Sequence, residues 1–114
     1  MKYPCRLIVL TDEEKKQGYP NKSDVGDMWE DPSEDRLDLS PYYKQNNAKR
    51  KPLIVCLPTR VWFCVDGMAY KYPLGYHGNG WQVTGVAPLI TVRPSIDICG
   101  RWHGWLEEGV LRDA

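Results

Sequence analysis

Four cysteines and a late histidine are the side chains in this sequence that could bind a metal ion. Cys56 and Cys64 lie in two neighbouring runs of strand-forming residues, and Cys99 and His103 follow near the end of the chain. Thiolates and imidazoles are the usual ligands of zinc. These four residues would form a Cys₃His set if the fold brought Cys56 and Cys64 together.

The register of one predicted hairpin decides whether these two thiols meet. A two-residue turn at Thr59 and Arg60 would place Cys56 opposite Phe63 and turn Cys64 to the other face. A three-residue loop in the alternative register would place the two cysteines directly opposite each other, with Cβ atoms about 5 Å apart. No glycine is available for the left-handed position of such a loop, so the sequence favours the first register. We therefore expect free, buried cysteines and no cofactor, with zinc as the alternative.

A late strand over residues 101–107 predicts a binding surface. Alternation along a strand separates a core-facing set, consisting of Trp102, Gly104 and Leu106. The opposite set combines an imidazole, an indole and two charges, and consists of Arg101, His103, Trp105 and Glu107. Trp and Arg are the side chains that most often carry binding energy at interfaces. We predict that Trp105, His103 and Arg101 bind a partner. The alternative for His103 is a structural role, in which its ring makes a hydrogen bond to a backbone carbonyl.

A charged segment over residues 20–51 predicts a second surface. Seven acidic residues and one arginine lie between positions 24 and 38, and four basic residues lie between positions 44 and 51. This pattern is typical of a long surface loop, and long loops within compact domains are often functional. We predict binding at Trp29, Glu30 and Asp31, where the indole would bury apolar area while the carboxylates steer a basic partner.

Motifs of common enzymes are absent from the sequence. It has no Gly-x-Ser-x-Gly, no phosphate-binding Gly-x₄-Gly-Lys-Ser/Thr and no His-Glu-x-x-His. We therefore favour a binding protein over an enzyme. Two alternatives stay open, a small metal-dependent enzyme centred on His103 and a nucleic-acid mimic that uses the acidic run to occupy a basic groove.

The elements that would position these residues are mostly strands. A first strand is predicted over residues 2–10, with Pro4 at a sheet edge. Thr11 and Glu14 fit a capping box that opens a short helix ending near Gly18. Further strands are predicted at residues 53–57, 61–65, 81–84, 89–92, 101–107 and 110–111. The fold expected is one mainly β domain, or α+β with one short helix, built as a small curled sheet or sandwich.

Charge and hydropathy limit the classes of partner. The chain has 114 residues with 15 basic and 15 acidic side chains, so binding to nucleic acid through phosphate neutralisation is not expected. No apolar run approaches the roughly 18 residues of a membrane helix, and the N-terminus lacks the features of a signal peptide. We therefore expect a cytoplasmic protein without membrane contact, with thiols kept reduced.

The last third of the chain carries a recognisable order of residues. It reads Thr91-Val92-x-Pro94-Ser95-Ile96, then Gly100-x-x-His103-Gly104-Trp105-Leu106, then Gly109-Val110-Leu111. This order resembles the DUF6527-like family of small uncharacterised proteins, found in bacteria and often in phage or prophage gene sets. The resemblance covers about residues 53–111, half of the chain.

That resemblance implies an accessory protein of phage type, working in the host cytoplasm. Zinc sites in the family use a cysteine-rich segment before the Pro-Ser-Ile motif and a Cys/His pair after it, which correspond here to Cys56, Cys64, Cys99 and His103. This sequence departs from the tight cysteine spacing of the family. We predict a binding module for a macromolecular partner, and we expect that partner to be a protein.

Overall fold

The computed structural model describes residues 1–33, 36, 38–46, 49–68, 80–98 and 100–114. Within them the chain forms, in order, β1 (Lys2–Pro4), β2 (Arg6–Leu7), α1 (Asp12–Gln17), β3 (Asp27–Glu30), α2 (Pro41–Asn46), β4 (Leu53–Cys56), β5 (Trp62–Cys64), β6 (Gln82–Val86), β7 (Leu89–Ile98), β8 (Trp102–Glu107) and β9 (Val110–Asp113). The fold is mainly β, as the alternating patterns and turn residues predict.

Two sheets contain these strands. The five-stranded sheet has the order β1-β9-β8-β7-β6, with antiparallel neighbours throughout. The four-stranded sheet has the order β2-β3-β4-β5, in which β2 and β3 run parallel. The single strand predicted over residues 2–10 is therefore wrong, because the chain passes from one sheet to the other at Cys5. Pro4 does lie on an edge strand, as predicted.

The main core fills the space between the two sheets. Alternate residues of β4 point into it, so that Leu53 and Val55 meet Val92 and Leu106 of the other sheet within one buried cluster. The predicted core set of β8 is confirmed, since Trp102, Gly104 and Leu106 are all buried.

A smaller cluster covers the opposite face of the four-stranded sheet. It consists of Leu10, Trp29, Ile54 and Cys56, with Ile8 and Cys64 packed against it. Trp29 is only 1% exposed and meets Trp62 edge to face, with ring centroids 5.1 Å apart. The prediction of Trp29 as an exposed anchor in a loop is therefore wrong: it lies in β3, whose two faces are both covered.

The loop predicted over residues 20–51 also contains a helix, α2. It begins at Pro41, directly after Ser40, and the Tyr43 amide donates to Ser40 Oγ at 3.3 Å. Proline suits this first helical position because its missing N–H would have no partner there. The expectation of a single helix is therefore wrong. The helix predicted after Thr11 is confirmed, with a complete capping box and Gly18 as its left-handed end.

The hairpin of β4 and β5 adopts neither predicted register. Cys56 pairs with Trp62 and Ile54 pairs with Cys64, across a loop of Pro58, Thr59 and Arg60. Arg60 takes the left-handed conformation, with φ 65°, that glycine usually supplies in such loops. The two thiols consequently lie on the same face of the sheet, in diagonal rather than opposite positions.

The described helices are too short and too polar to cross a membrane.

Candidate interaction surface

The outer face of the five-stranded sheet carries the predicted binding residues of β8. His103 is exposed, while Trp105 and Glu107 are half-buried on this face. The predicted alternation is confirmed for these three residues. Arg101 is exposed but lies in the turn before β8, so it borders the face rather than forming part of the strand.

Gly104 and Trp102 hold β8 in place beneath this surface. A Cβ atom at Gly104 would lie 2.4 Å from Cζ2 of the Trp102 ring, so the indole packs directly on the glycine backbone. The Trp102 indole nitrogen donates to Asp113 Oδ1 at 2.7 Å, which ties β8 to the end of β9. These contacts fix the strand whose opposite side presents Trp105.

Trp105 is the centre of the outer face. The Arg112 guanidinium carbon lies 5.4 Å from the centroid of its ring, within the range of cation–π attraction. The His103 ring is a second neighbour, with a centroid distance of 5.8 Å. Contacts with two neighbours restrict the rotation of the indole, which lowers the entropy lost on binding a partner.

A shared carboxylate orders the charges beside Trp105. Glu107 Oε2 accepts from Arg93 Nη2 at 3.0 Å, and Glu107 Oε1 accepts from Arg112 Nη2. One carboxylate therefore serves two guanidinium groups, which leaves this cluster with a positive charge. Both arginine side chains stay about half exposed, at 50% and 49%. The surface around Trp105 is therefore suited to a partner that presents a carboxylate next to an apolar group.

Ser95 is the main contact of His103. Nε2 of His103 lies 3.1 Å from Ser95 Oγ, across β7 and β8. The structural alternative for His103 predicted a backbone partner, whereas the observed partner is a side chain. The contact also brings together a hydroxyl and an imidazole, the first two groups of a hydrolytic site, on an open sheet face.

The predicted metal ligands do not form a site among the described residues. These hold no group of three or more His, Cys, Asp or Glu side chains that could bind a metal ion, and Cys99 lies outside them. Cys56 and Cys64 share a face but belong to the small cluster, remote from the strand of His103. Burial raises the pKa of Cys64 to about 11 and also raises the pKa of Cys56. The expectation that the protein binds no zinc stays a prediction.

Two arginines pair with four aspartates of the acidic segment. Asp24 and Asp27 pair with Arg6, at 3.3 and 2.5 Å. Arg36 does the same for Asp31 and Asp38, at 3.2 and 2.5 Å. Glu30 is exposed, whereas Asp31 is half-buried in its ion pair. The described part of the segment therefore keeps a negative charge, and Glu30 is the exposed carboxylate among the three residues of the predicted second surface.

Sequence reasoning missed Arg112 as a neighbour of Trp105. The signal was available in the turn at Glu108 and Gly109, since a two-residue turn there fixes the pairing of Glu107 with Val110. Two residues before Glu107 in β8 is Trp105, and two residues after Val110 in β9 is Arg112, so these two residues lie opposite each other, as observed. Arg93 and Ser95 could not be found in this way, because a register shift between Val92 and Ile96 changes the pairing of β7 with β8.

Comparisons with known proteins identify no relative. No family model matches the chain, and no curated protein or solved structure matches it. The resemblance to DUF6527-like proteins stays an expectation from the sequence, and the function has to be argued from the residues themselves.

Proposed function

We propose that this protein is a binding module that holds a protein partner on the outer face of its five-stranded sheet. The observation that carries the proposal is the half-buried Trp105, which contacts Arg112 and His103 and lies beside the Arg93–Glu107–Arg112 cluster. An ordered indole with adjacent guanidinium groups has the composition of an interface hot spot. The phage-type context implied by the sequence resemblance makes a bacterial host protein the partner to seek.

The experiment compares Trp105→Ala with His103→Asn. The wild-type chain captures its partner from bacterial lysate, and the affinity of the purified pair is then measured. Loss of the indole is expected to weaken binding about thirty-fold, which corresponds to about 2 kcal/mol. His103→Asn is expected to change the affinity by only a few-fold, because asparagine can keep a hydrogen bond to Ser95. Circular dichroism of both variants checks that they fold.

A larger effect of His103→Asn than of Trp105→Ala would favour the enzyme alternative. The contact between Ser95 and His103 supports that alternative, and zinc would support it further if elemental analysis found about one ion per chain. Turnover or bound metal lost in His103→Asn but retained in Trp105→Ala would overturn the binding proposal. The nucleic-acid mimic stays open, because two arginines, Arg6 and Arg36, are shared among Asp24, Asp27, Asp31 and Asp38 and leave the described acidic run negative.

A further inference from the structure

Two exposed aromatic rings lie together on the outer face of the four-stranded sheet, on the other sheet from Trp105. Trp62 of β5 pairs with Cys56, a member of the small cluster, so its side chain points to that face. The Tyr19 ring lies beside it, with ring centroids 6.0 Å apart and ring planes inclined by 41°. Trp62 is 44% exposed and Tyr19 is 47% exposed. We call this pair the aromatic platform.

The indole of the platform is held in one orientation. Its nitrogen donates to Ser23 Oγ at 2.9 Å. The buried Trp29 ring meets Trp62 edge to face from the side of the small cluster. The exposed part of the Trp62 ring is therefore presented to solvent by a fixed side chain. A fixed ring loses little entropy when a ligand stacks on it.

The backbone on both sides of Tyr19 is also held. The Tyr19 amide donates to the Glu14 carbonyl at 3.2 Å, and the Tyr19 carbonyl accepts from Gln17 Nε2 at 2.8 Å. The Glu14 carboxylate in turn accepts from the Asn21 amide at 2.7 Å. These bonds tie the segment that carries Tyr19 to α1, so both rings of the platform are preformed.

The charges around the platform cancel. Five cationic and five anionic side chains occur in residues 12–24 together with Arg6, Asp27 and Arg60. Arg60 Nη1 donates to the Ser23 carbonyl at 3.4 Å, which places a guanidinium near the platform and disfavours a cationic ligand. The exposed carboxylate of Asp24, next to Ser23, disfavours an anionic one. The platform therefore complements a neutral ligand.

A carbohydrate combines the properties that such a ligand needs. The C–H groups of a pyranose ring form a flat apolar face, which packs on the electron-rich face of an aromatic ring. Sugar hydroxyl groups both donate and accept hydrogen bonds. Two neutral amides of the same segment, Gln17 and Asn21, are exposed and joined by a hydrogen bond of 2.7 Å. Amide side chains also donate and accept, so they match the hydroxyls of a sugar.

A proline-rich peptide is the other neutral ligand that binds aromatic side chains. Such peptides dock in aromatic-lined grooves, and their carbonyl groups have no donors within the peptide. The Trp62 N–H already donates to Ser23, so it is not available to a peptide carbonyl. Rings that are almost half exposed form an open surface rather than the walls of a groove. These observations favour the carbohydrate.

We propose that the aromatic platform binds a neutral oligosaccharide. One pyranose ring would stack on Trp62 and a neighbouring part of the sugar chain would contact Tyr19, while Gln17 and Asn21 bind hydroxyl groups. The site is separate from the Trp105 face, so it is a second binding site, independent of the proposed protein partner.

Isothermal titration calorimetry with the full chain tests this proposal. The probes are three neutral hexasaccharides, namely cellohexaose, maltohexaose and N-acetylated chitohexaose. At least one of them is expected to bind with a Kd below about 1 mM. A galacturonic acid hexamer and octaproline are the charged and the peptide controls, and both are expected to bind at least about tenfold more weakly. Binding by none of the three probes, or tighter binding of octaproline, would overturn the proposal.

Ring variants test which side chains bind the sugar. Trp62→Ala is expected to weaken binding at least about tenfold, and Trp62→Phe, which keeps a ring, only a few-fold. Tyr19→Ala is expected to weaken it about three- to tenfold. Tyr42→Ala is the matched control, since Tyr42 is 37% exposed but lies on α2. Equal effects of the two tyrosine variants would overturn the proposal.

Nuclear magnetic resonance of the wild type gives a measurement that does not depend on how the variants fold. The indole N–H signal of Trp62 is assigned by its loss in Trp62→Phe, and that of Trp105 by its loss in Trp105→Phe. The hexasaccharide that binds is expected to shift the first signal and leave the second unchanged, which separates this site from the proposed function. A shift at Trp105 without one at Trp62 would overturn the proposal.

Discussion

Trp29 and Trp105 show what makes an aromatic residue available to a partner. Both lie in strands, and both have neighbours of mixed polarity in the sequence. Trp29 is buried because Leu10 packs with it on the outer face of the four-stranded sheet. Trp105 stays half-buried because its neighbours on the outer face are His103 and Arg112. Availability at the residue scale therefore depends on what covers each face, not on the residue or its flanking sequence.

Cys64 leads to a prediction about stability at high pH. Burial raises the pKa of its thiol from 9.0 to about 11 in the folded protein. The folded state thus holds this proton more tightly than the unfolded state, so the free energy of unfolding is unaffected below about pH 9 and falls as the pH rises towards 11. The expected loss is on the order of 2 kcal/mol.

Urea unfolding of wild type and Cys64→Ala measures this effect. Near pH 8 the wild type is expected to be the more stable protein, because the alanine leaves a small cavity. Near pH 10.5 that advantage is expected to shrink or vanish, since the variant has no thiol at this position to titrate. A difference in unfolding free energy that stays constant across this range would contradict the prediction.

Strand β8 shows how one element serves both of its faces. On its inner face the Trp102 ring packs tightly against Gly104. Its outer face carries Trp105, with the Arg112 guanidinium beside the ring. A substitution on the inner face would therefore shift the side chains of the outer face. This coupling makes the glycine a positioning residue for the proposed interaction surface.

Gly104→Ala is expected to destabilise the protein by about 2 kcal/mol. The added Cβ would lie 2.2 Å from the Arg112 carbonyl oxygen and 2.4 Å from the Trp102 ring, and backbone cannot give way easily. Gly67→Ala is the matched control, because there the nearest atom lies at 3.4 Å, an ordinary contact. Its effect on the free energy of unfolding is expected to stay within about 1 kcal/mol. Thermal or urea unfolding measures both, and equal effects would contradict this account of Gly104.

At the scale of the whole molecule, the order of strands along the chain joins the two sheets. The first strand and the last four form one sheet, while β2 to β5 form the other. Both sheets contribute to one buried cluster, in which Leu53 and Val55 meet Leu106 and Leu111. Neither sheet could keep its inner face buried alone, so we expect them to unfold together.

Leu106→Ala tests this cooperativity. Leu106 is completely buried, so its truncation is expected to cost about 3 kcal/mol, whereas Leu89→Ala, at a position 67% exposed, should be nearly neutral. The transitions of the Leu106 variant followed by tryptophan fluorescence and by far-ultraviolet circular dichroism are expected to coincide. Separate midpoints for the two signals would show that the sheets unfold independently.

The sequence by itself determined the features that depend on neighbouring residues. The Thr11 capping box, the end of α1 at Gly18, and the inward and outward sets of β8 all follow from backbone geometry over a few residues. The tertiary structure alone decided which faces are covered, and hence that Trp29 is buried whereas Trp105 is half-buried. It also decided the left-handed Arg60, the contact of Ser95 with His103, and the cation–π contact of Arg112 with Trp105. These features depend on residues distant in the chain, whose pairing is selected by the packing of both sheets together.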